Sequence, residues 1–355
     1  MVNMSYTPIL RWREAEKRAL FDLSEYERDF LLPMLSFQYS AKDIREGDFR
    51  AACSRMATSL PQEICTFWGD GRPFLADFDT IAPLGYKRSL FRDFMVNATK
   101  LYLEPIPVVD PCDEPEYIES AISLSISGEL CLRFRGKDLF NTSTLLDFCA
   151  KYNLSNLEKL TILFDLLDKT DEEVFKNVLS TIDSIPNVDR YKNIIVAASA
   201  FPVDMSKITS ENDHIVREEW TNWKKYIHAT HLRYPSFADY TIRHPIYKPA
   251  LDFHQPTTTI KYTIDTEWLC LKGEVGNYKK YLASANALMK APEFCGSNFS
   301  AGDRFIADKG RLFPNYIKKI SNKGTGNNTQ WIYAGINHHI VFVINQLSNL
   351  GEQVG

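Results

Sequence analysis

The sequence predicts an α/β fold, with a TIM-like (β/α)8 barrel over residues 1–245 and an α+β C-terminal extension over residues 246–355. Short apolar runs alternate with helix-like segments of about ten to fifteen residues, which is typical of βαβ units around a parallel sheet. There are eight such runs, and eight strands close this kind of barrel. The chain has no GxGxxG motif or P-loop motif, which favours the barrel over an open, doubly wound sheet.

Each apolar run is interpreted as one barrel strand. Most of the runs are apolar throughout, as expected for strands that are covered on both faces. The eighth run is short and rather polar, although it has to close the ring. In chain order the predicted strands are Thr7–Trp12, Leu31–Phe37, Pro73–Phe78, Ile106–Asp110, Leu130–Phe134, Leu160–Leu166, Ile194–Ala200 and Phe237–Ile242.

The segments between the runs have the composition and spacing of helices. They are EAEKRALFDL, a stretch near 41–60, another near 88–102, EPEYIESAISL, NTSTLLDFCAKY, TDEEVFKNVLSTI and VREEWTNWKKYIHAT. After Pro245 the alternation stops. Thr257–Thr263 and Glu267–Lys272 read as a hairpin, helical patterns follow at 277–291 and 303–320, and a polar loop then leads to an apolar stretch at 331–348. We expect this extension to pack on the barrel mouth.

Composition limits the class of protein. With 355 residues, 45% of them hydrophobic, the chain can bury a large core without metal or disulfide staples. Its net charge of −4 argues against a surface that coats DNA non-specifically. The N-terminal segment is too charged for a signal peptide, and no apolar stretch is long enough to span a membrane, so we expect a cytoplasmic protein. The seven scattered cysteines are interpreted as reduced thiols.

The candidate site follows from the barrel, because functional side chains of this fold lie at the carboxyl ends of the strands. Residues two apart on a strand point the same way, so Asp77 and Asp79 share a direction, as do Arg133 and Arg135. The charges either form internal ion pairs, or bind a phosphate through the arginines and a divalent cation through the carboxylates. Asp110, which precedes a proline, is better explained as a turn and helix cap. The strand-end candidates are Arg11, Asp77, Arg133, Asp165, Ser199, Asp239 and Tyr240.

Histidines are less informative than the strand ends. His228 and His231 are three apart on a predicted helix, where an exposed surface is the simpler interpretation. His338 and His339 are adjacent, so on a helix their directions differ by about 100° and they do not grip one metal ion together. We expect one of them, assigned as His338, to face the barrel and take part in acid–base chemistry.

Several segments, spread over more than 300 residues, match one known family in their order along the chain. They resemble the beta family proteins, named for the beta protein of a satellite phage that is encoded beside a toxic gene product. The matching segments are Pro8–Glu16, Leu132–Phe134, Leu163–Asp165, Ser199–Pro202, Arg217–Trp220, Phe237–Tyr240, Lys261–Thr263, Gly296–Asp303, Trp331 and His338–His339.

The resemblance implies a setting and no particular reaction. That setting is prophage or mobile-element defence, in which the protein restrains or cooperates with a toxic partner encoded by a neighbouring gene. The matching residues add Tyr262, Asp303 and His338 in the extension, and Arg217 before it, to the candidate site. We therefore expect the extension to fold over the mouth and complete a pocket there.

Two classes of function remain open from the sequence. The first is a defence component that binds a partner protein or a nucleotide-like ligand at the mouth and controls toxicity. The second is a metal-dependent phosphodiesterase or nuclease, or another barrel hydrolase. The sequence assigns catalytic roles to Asp77, Asp165, Asp239 and His338, and ligand or phosphate binding to Arg11, Arg133, Ser199, Arg217, Tyr240, Tyr262 and Asp303.

Replacement of Asp165 or Arg133 by Ala is then expected to abolish function with little change in melting temperature. A large loss of stability would instead mark the two residues as a structural ion pair.

Overall fold

The strands of the chain form a closed barrel and a small separate sheet. The computed structural model describes residues 5–81, 84–205, 208, 212–226, 233–246, 257–316 and 324–354. Its strands are β1 (Thr7–Arg11), β2 (Met34–Ser36), β3 (Pro73–Asp77), β4 (Glu104–Val109), β5 (Leu130–Phe134), β6 (Leu160–Asp165), β7 (Asn193–Ala197), β8 (Asn212–Val216), β9 (Ser236–Asp239), β10 (Thr257–Ile264) and β11 (Glu267–Val275).

The barrel has the strand order β1-β2-β3-β4-β5-β6-β7-β9, and neighbouring strands are parallel. It closes where β9 pairs with β1, with Thr7 opposite Ala238 and Pro8 opposite Asp239. The (β/α)8 barrel predicted from the sequence is therefore confirmed. The short eighth run, which contains β9, does close the ring.

Side chains alternate between the inside and the outside of the barrel wall, as strand geometry requires. The inner cluster is separate from the outer one and consists mainly of aliphatic side chains, among them Ile9, Met34, Leu75, Cys131, Leu163 and Ala238. The outer cluster packs the strands against the helices and is rich in aromatic rings, including Tyr6, Phe74, Phe134, Phe164 and Phe237. Side chains two positions apart on a strand lie on the same face, so the residue two positions after a member of the inner cluster also points into the barrel.

The helices follow the strands around the barrel and continue into the C-terminal segment. They are α1 (Glu14–Phe21), α2 (Glu25–Asp29), α3 (Ala41–Glu46), α4 (Phe49–Phe67), α5 (Leu84–Lys100), α6 (Pro115–Leu124), α7 (Thr142–Lys151), α8 (Glu172–Asp183), α9 (Glu218–Tyr226), α10 (Lys279–Leu288), α11 (Ala301–Tyr316) and α12 (Asn328–Val354). Local signals set several of their starts; the Asp171 carboxylate, for example, accepts the N–H of Val174 at 3.0 Å and caps α8. None of the described helices combines the length and apolarity needed to cross a lipid bilayer.

Strand β8 was not predicted. It lies between β7 and α9 and pairs antiparallel with β11, next to the predicted hairpin of β10 and β11. Its sequence, NDHIV, is too polar to stand out as an apolar run. The predicted helix VREEWTNWKKYIHAT was wrong at its start, because Val216 belongs to β8 and α9 begins at Glu218. The first 245 residues thus supply one strand to the sheet of the C-terminal segment.

Helix α12 connects the C-terminal segment to the flank of the barrel. It packs on α1 and β10, and its Asn337 side chain is fully buried. The amide of Asn337 donates to the Ala19 carbonyl at 3.0 Å and accepts the Gly302 N–H at 2.7 Å. One side chain therefore satisfies backbone groups of α1 and α11 that would otherwise be buried without a partner.

Replacing Asn337 by Ala should lower the free energy of unfolding by about 2–3 kcal/mol, because two buried backbone groups lose their partner. Asn345→Ala is the matched control, since Asn345 is exposed and donates to the Val341 carbonyl of its own helix; we expect a change within about 0.5 kcal/mol there. Urea unfolding measures both. Equal effects of the two substitutions would contradict the bridging role.

Candidate functional site

The centre of the barrel holds a buried arginine. Arg133 lies two residues after the inward-facing Cys131, and its side chain is 6% exposed. The guanidinium donates to Asp165 Oδ2 from Nε at 2.9 Å and from Nη2 at 2.5 Å, and to Asp77 Oδ2 at 3.2 Å. The Tyr240 hydroxyl also donates to Asp165 Oδ2, at 2.6 Å. Side chains from β3, β5, β6 and the end of β9 thus meet in one charge cluster.

A second layer of charge lies above the first. Arg135 follows Arg133 by two residues and grips Asp79 with two hydrogen bonds of 2.8 Å. It also contacts Asp110 Oδ2 at 3.1 and 3.2 Å. The Asp110 carboxylate caps the following turn through the Cys112 N–H, so the predicted turn role and an ion pair coexist in one side chain.

Electrostatics keep Arg133 in the first layer and Asp79 in the second layer ionised. Burial raises the pKa of Asp79, but the hydrogen bonds and charge of Arg135 outweigh it and bring that pKa to about 2. Burial lowers the pKa of Arg133, but the negative charge of Asp165 outweighs it and leaves the pKa well above its ordinary value. Burial and the same carboxylate raise the pKa of Tyr240. The cluster therefore behaves as a fixed set of donors and acceptors near neutral pH.

These layers form one side of a cavity of about 400 Å³ at the barrel mouth. Its size is that of a small-molecule site. Its lining combines charged, polar and apolar side chains. The described residues that line it are Ile9, Arg11, Ser36, Gln38, Tyr39, Ile44, Asp77, Asp79, Thr80, Arg133, Arg135, Leu167, Tyr240, Pro245 and Ile246.

Two predicted mouth residues also hold a loop in place. Arg11 lines the cavity and donates from Nη2 to the His244 carbonyl at 2.5 Å. Ser199 lies beside a neighbouring groove and reaches the Arg243 carbonyl at 3.4 Å. Both side chains therefore contact the segment that follows β9.

Asp239 does not line the mouth, contrary to the expectation from its place at a strand end. Alternation turns it outward, one residue before the inward-facing Tyr240. It accepts the Tyr6 hydroxyl at 2.6 Å and lies 2.8 Å from His339 Nε2, while His339 Nδ1 lies 2.7 Å from the Thr263 hydroxyl. Burial lowers the pKa of His339. The neutral ring thus donates to Asp239 and accepts from Thr263.

The other C-terminal candidates form a second buried network, away from the cavity. His338 Nδ1 lies 2.8 Å from Asp303 Oδ2, and His338 Nε2 lies 2.8 Å from the Thr263 carbonyl. Tyr262 donates to Asp303 at 2.8 Å and stacks on the His338 ring. His339, and not the assigned His338, is the histidine that faces the barrel. Of the C-terminal segment beyond the boundary at Pro245, Ile246 is the one described residue that lines the mouth.

Arg217 is also distant from the mouth. It is fully buried at the start of α9, between the rings of Trp220 and Trp268, at 5.4 and 5.9 Å from their centroids. Its Nε lies 3.7 Å from Glu219 Oε1, too far for a hydrogen bond. Burial raises the pKa of Glu219, the Arg217 charge offsets this only in part, and the result is about 8. Burial outweighs the ion pair because the pair lacks a hydrogen bond.

Metal binding gains no support from side-chain positions. Within the described ranges, no three or more His, Cys, Asp or Glu side chains are arranged to hold a metal ion. Asp77 and Asp165 instead direct their carboxylates at Arg133. His228 and His231 lie outside the described residues.

Comparison with known families adds an identity to this geometry. The model of the Beta protein family matches residues 6–345. The chain belongs to the Beta protein family. No curated protein matches it. The match runs from the start of β1 into α12, so the barrel and the C-terminal segment both belong to the unit that defines the Beta protein family.

Sequence reasoning missed some cavity residues. Ser36 and Gln38 follow the inward-facing Met34 by two and four residues, and both line the mouth. The same two-residue rule that identified Arg133 and Arg135 would have found them. The sequence did not point to them because the prediction relied mainly on charged side chains at the strand ends, and both of these side chains are uncharged.

The burial of the Arg133–Asp165 pair changes the expected effect of Asp165→Ala. Removing Asp165 leaves a buried cation short of its main partner, so we expect a loss of about 3–5 kcal/mol in unfolding free energy. Asp168→Ala, at a side chain that is 49% exposed, should change it by less than about 0.5 kcal/mol. Chemical denaturation tests this, and an unchanged stability for Asp165→Ala would refute a structural pair.

Glu219 should make stability depend on pH. Below pH 4.5 the carboxyl is protonated in the folded and the unfolded chain; between 4.5 and about 8 only the folded chain keeps the proton. Its contribution to stability is therefore lost as the pH rises through about 8. In urea titrations from about pH 5 to pH 9, Glu219→Gln should flatten this decline, and the exposed control Glu218→Gln should not. The same pH profile in wild type and Glu219→Gln would disprove it.

Proposed function

We propose that the barrel mouth binds a small nucleotide-like ligand, and that the protein uses this binding to control a toxic partner in phage defence. The observation that carries the proposal is the cavity of about 400 Å³ at the barrel mouth, with charges fixed in advance by their own pairing. Binding is favoured when donors and acceptors need no rearrangement to meet a ligand. The defence setting rests on the resemblance of the sequence to the satellite-phage beta protein.

The charge balance supports a ligand with less negative charge than a triphosphate. Three arginines and two aspartates line the cavity. Asp110 and Asp165 lie behind this lining and pair with Arg135 and Arg133, so the nearby carboxylates offset the arginines. A triphosphate would find too few uncompensated cations in such a site. A mononucleotide or a cyclic nucleotide fits the balance better.

The rest of the wall has groups that suit the other parts of a nucleotide. Ser36 and Gln38 offer a hydroxyl and an amide for a ribose, and Ile9, Ile44 and Ile246 offer apolar surface for a base. Binding is favoured over hydrolysis because Asp77 and Asp165, the candidate catalytic carboxylates at the mouth, are held by Arg133. A general base would need a carboxylate that is free to accept a proton from the substrate.

Binding of AMP, cyclic AMP, ATP and inorganic phosphate to the purified protein tests this proposal by calorimetry. We expect AMP or cyclic AMP to bind more tightly than ATP. Gln38→Ala should weaken that binding about tenfold, through the loss of one hydrogen bond, without changing the melting temperature by more than about 2 °C. Gln62→Ala on the outer helix α4 is the matched control and should leave affinity unchanged.

Cellular function is tested by co-expression with the neighbouring genes under phage challenge. Gln38→Ala should reduce protection, and Gln62→Ala should not. Equal protection by both would reject a role for the mouth. Metal-dependent hydrolysis of bis(p-nitrophenyl) phosphate that is lost in Gln38→Ala would replace the binding proposal with the phosphodiesterase alternative.

A further inference from the structure

The segment after β9, residues 241–246 and called the β9 loop below, has three successive carbonyls that are each held by a different element. Lys261 Nζ of β10 donates to the Ile242 carbonyl at 3.3 Å. The Ser199 hydroxyl, just after β7, donates to the Arg243 carbonyl at 3.4 Å. Arg11 of β1 donates to the His244 carbonyl at 2.5 Å. The path of the loop is thus set by side chains from three directions.

The β9 loop forms part of the cavity wall. Pro245 and Ile246 line the mouth. His244 instead lines a neighbouring groove of about 590 Å³, which also contacts Ser199 and His214. The β9 loop therefore separates the mouth cavity from this groove, and a shift in its backbone would change the shape of the mouth.

The backbone of the β9 loop is held in an unfavourable conformation. Thr241 has a φ of +58°, in the left-handed region that β-branched residues avoid. Its N–H donates to Asp239 Oδ1 at 2.9 Å. Since the residue does not prefer this conformation, the contacts around it have to impose it. Loss of a contact should therefore release the loop.

The C-terminal segment is in close contact with the β9 loop. A Cβ atom at Gly335 of α12 would lie 2.7 Å from Ile242 Cδ1 and 2.8 Å from the Lys261 carbonyl oxygen. Only glycine allows α12, β10 and the loop to come this close. The Lys261 ammonium also lies 4.4 Å from the centre of the Phe201 ring. Burial and the Arg243 charge lower the pKa of Lys261 to about 7, and its Nζ can donate to the Ile242 carbonyl in either protonation state.

We propose that Lys261 is a positioning residue for the mouth site. By holding the Ile242 carbonyl it fixes the β9 loop, and with it Pro245 and Ile246 in the cavity wall. The C-terminal segment thereby controls how tightly the mouth binds its ligand. This inference rests on the proposed function for the ligand, but its structural step is independent of any ligand.

Hydrogen exchange of the full-length, ligand-free protein tests the structural step. In Lys261→Met the amides of the β9 loop should exchange about tenfold faster, as expected for the loss of one restraining hydrogen bond. Lys272→Met is the matched control, because Lys272 lies on the same hairpin and its Nζ donates to the carbonyls of Met205 and Ile208. That control should leave the exchange of the β9 loop unchanged.

Lys261→Arg retains a long cationic donor and should restore slow exchange in the β9 loop. An unchanged loop in Lys261→Met would overturn the proposal. So would a uniform rise across the whole C-terminal segment, because it would make the lysine a general stabiliser of that segment.

Binding of AMP tests the functional step. Its affinity should fall about tenfold in Lys261→Met, and should stay near the wild-type value in Lys261→Arg and Lys272→Met. Faster loop exchange with unchanged AMP affinity would overturn the coupling to the mouth. If AMP does not bind to the wild type, the proposed ligand class is wrong for this probe, while the exchange experiment still decides whether Lys261 positions the loop.

Discussion

The charge of Arg133 is the constraint on which the barrel interior depends. A guanidinium enclosed by strands cannot remain unpaired, because removing it from water costs more free energy than most single contacts supply. Asp165 from β6 and Asp77 from β3 meet this need, and Tyr240 completes the set from the end of β9. The four strands must therefore keep a fixed register, so that their side chains meet at the charge of Arg133. A small shift of any of them would separate the charges.

The same cluster explains which parts of the site could be predicted from the sequence. Arg133, Asp77 and Asp165 stand out because charges inside apolar runs are rare, and the two-residue period of a strand gives their common direction. Asp239 was misplaced because a position at a strand end does not by itself tell which face a side chain takes. Applied to Ala238 and Tyr240, both of which point inward, the same period would have turned Asp239 outward.

More of the barrel than of the C-terminal segment could be predicted from the sequence. Apolar runs predict barrel strands because each one is buried on both faces. Strand β8 is polar, and what defines it is its pairing with β11 about fifty residues later in the chain, a contact that local composition does not reveal. The buried pairs of His338 with Asp303 and of His339 with Asp239 are also long-range. Two adjacent histidines on α12 indicate that two polar contacts form, but the sequence does not identify the partner of each ring.

The end of β9 is where the barrel and the C-terminal segment become one unit. Tyr240 points inward and bonds to Asp165 in the mouth cluster, while Asp239 points outward and bonds to His339 of α12. Two consecutive residues at the end of β9 thus connect the charge cluster to the C-terminal helix through the barrel wall. The β9 loop begins at the next residue, in a strained conformation that the same Asp239 stabilises. A change in how α12 packs would therefore reach the mouth through the strand that closes the barrel.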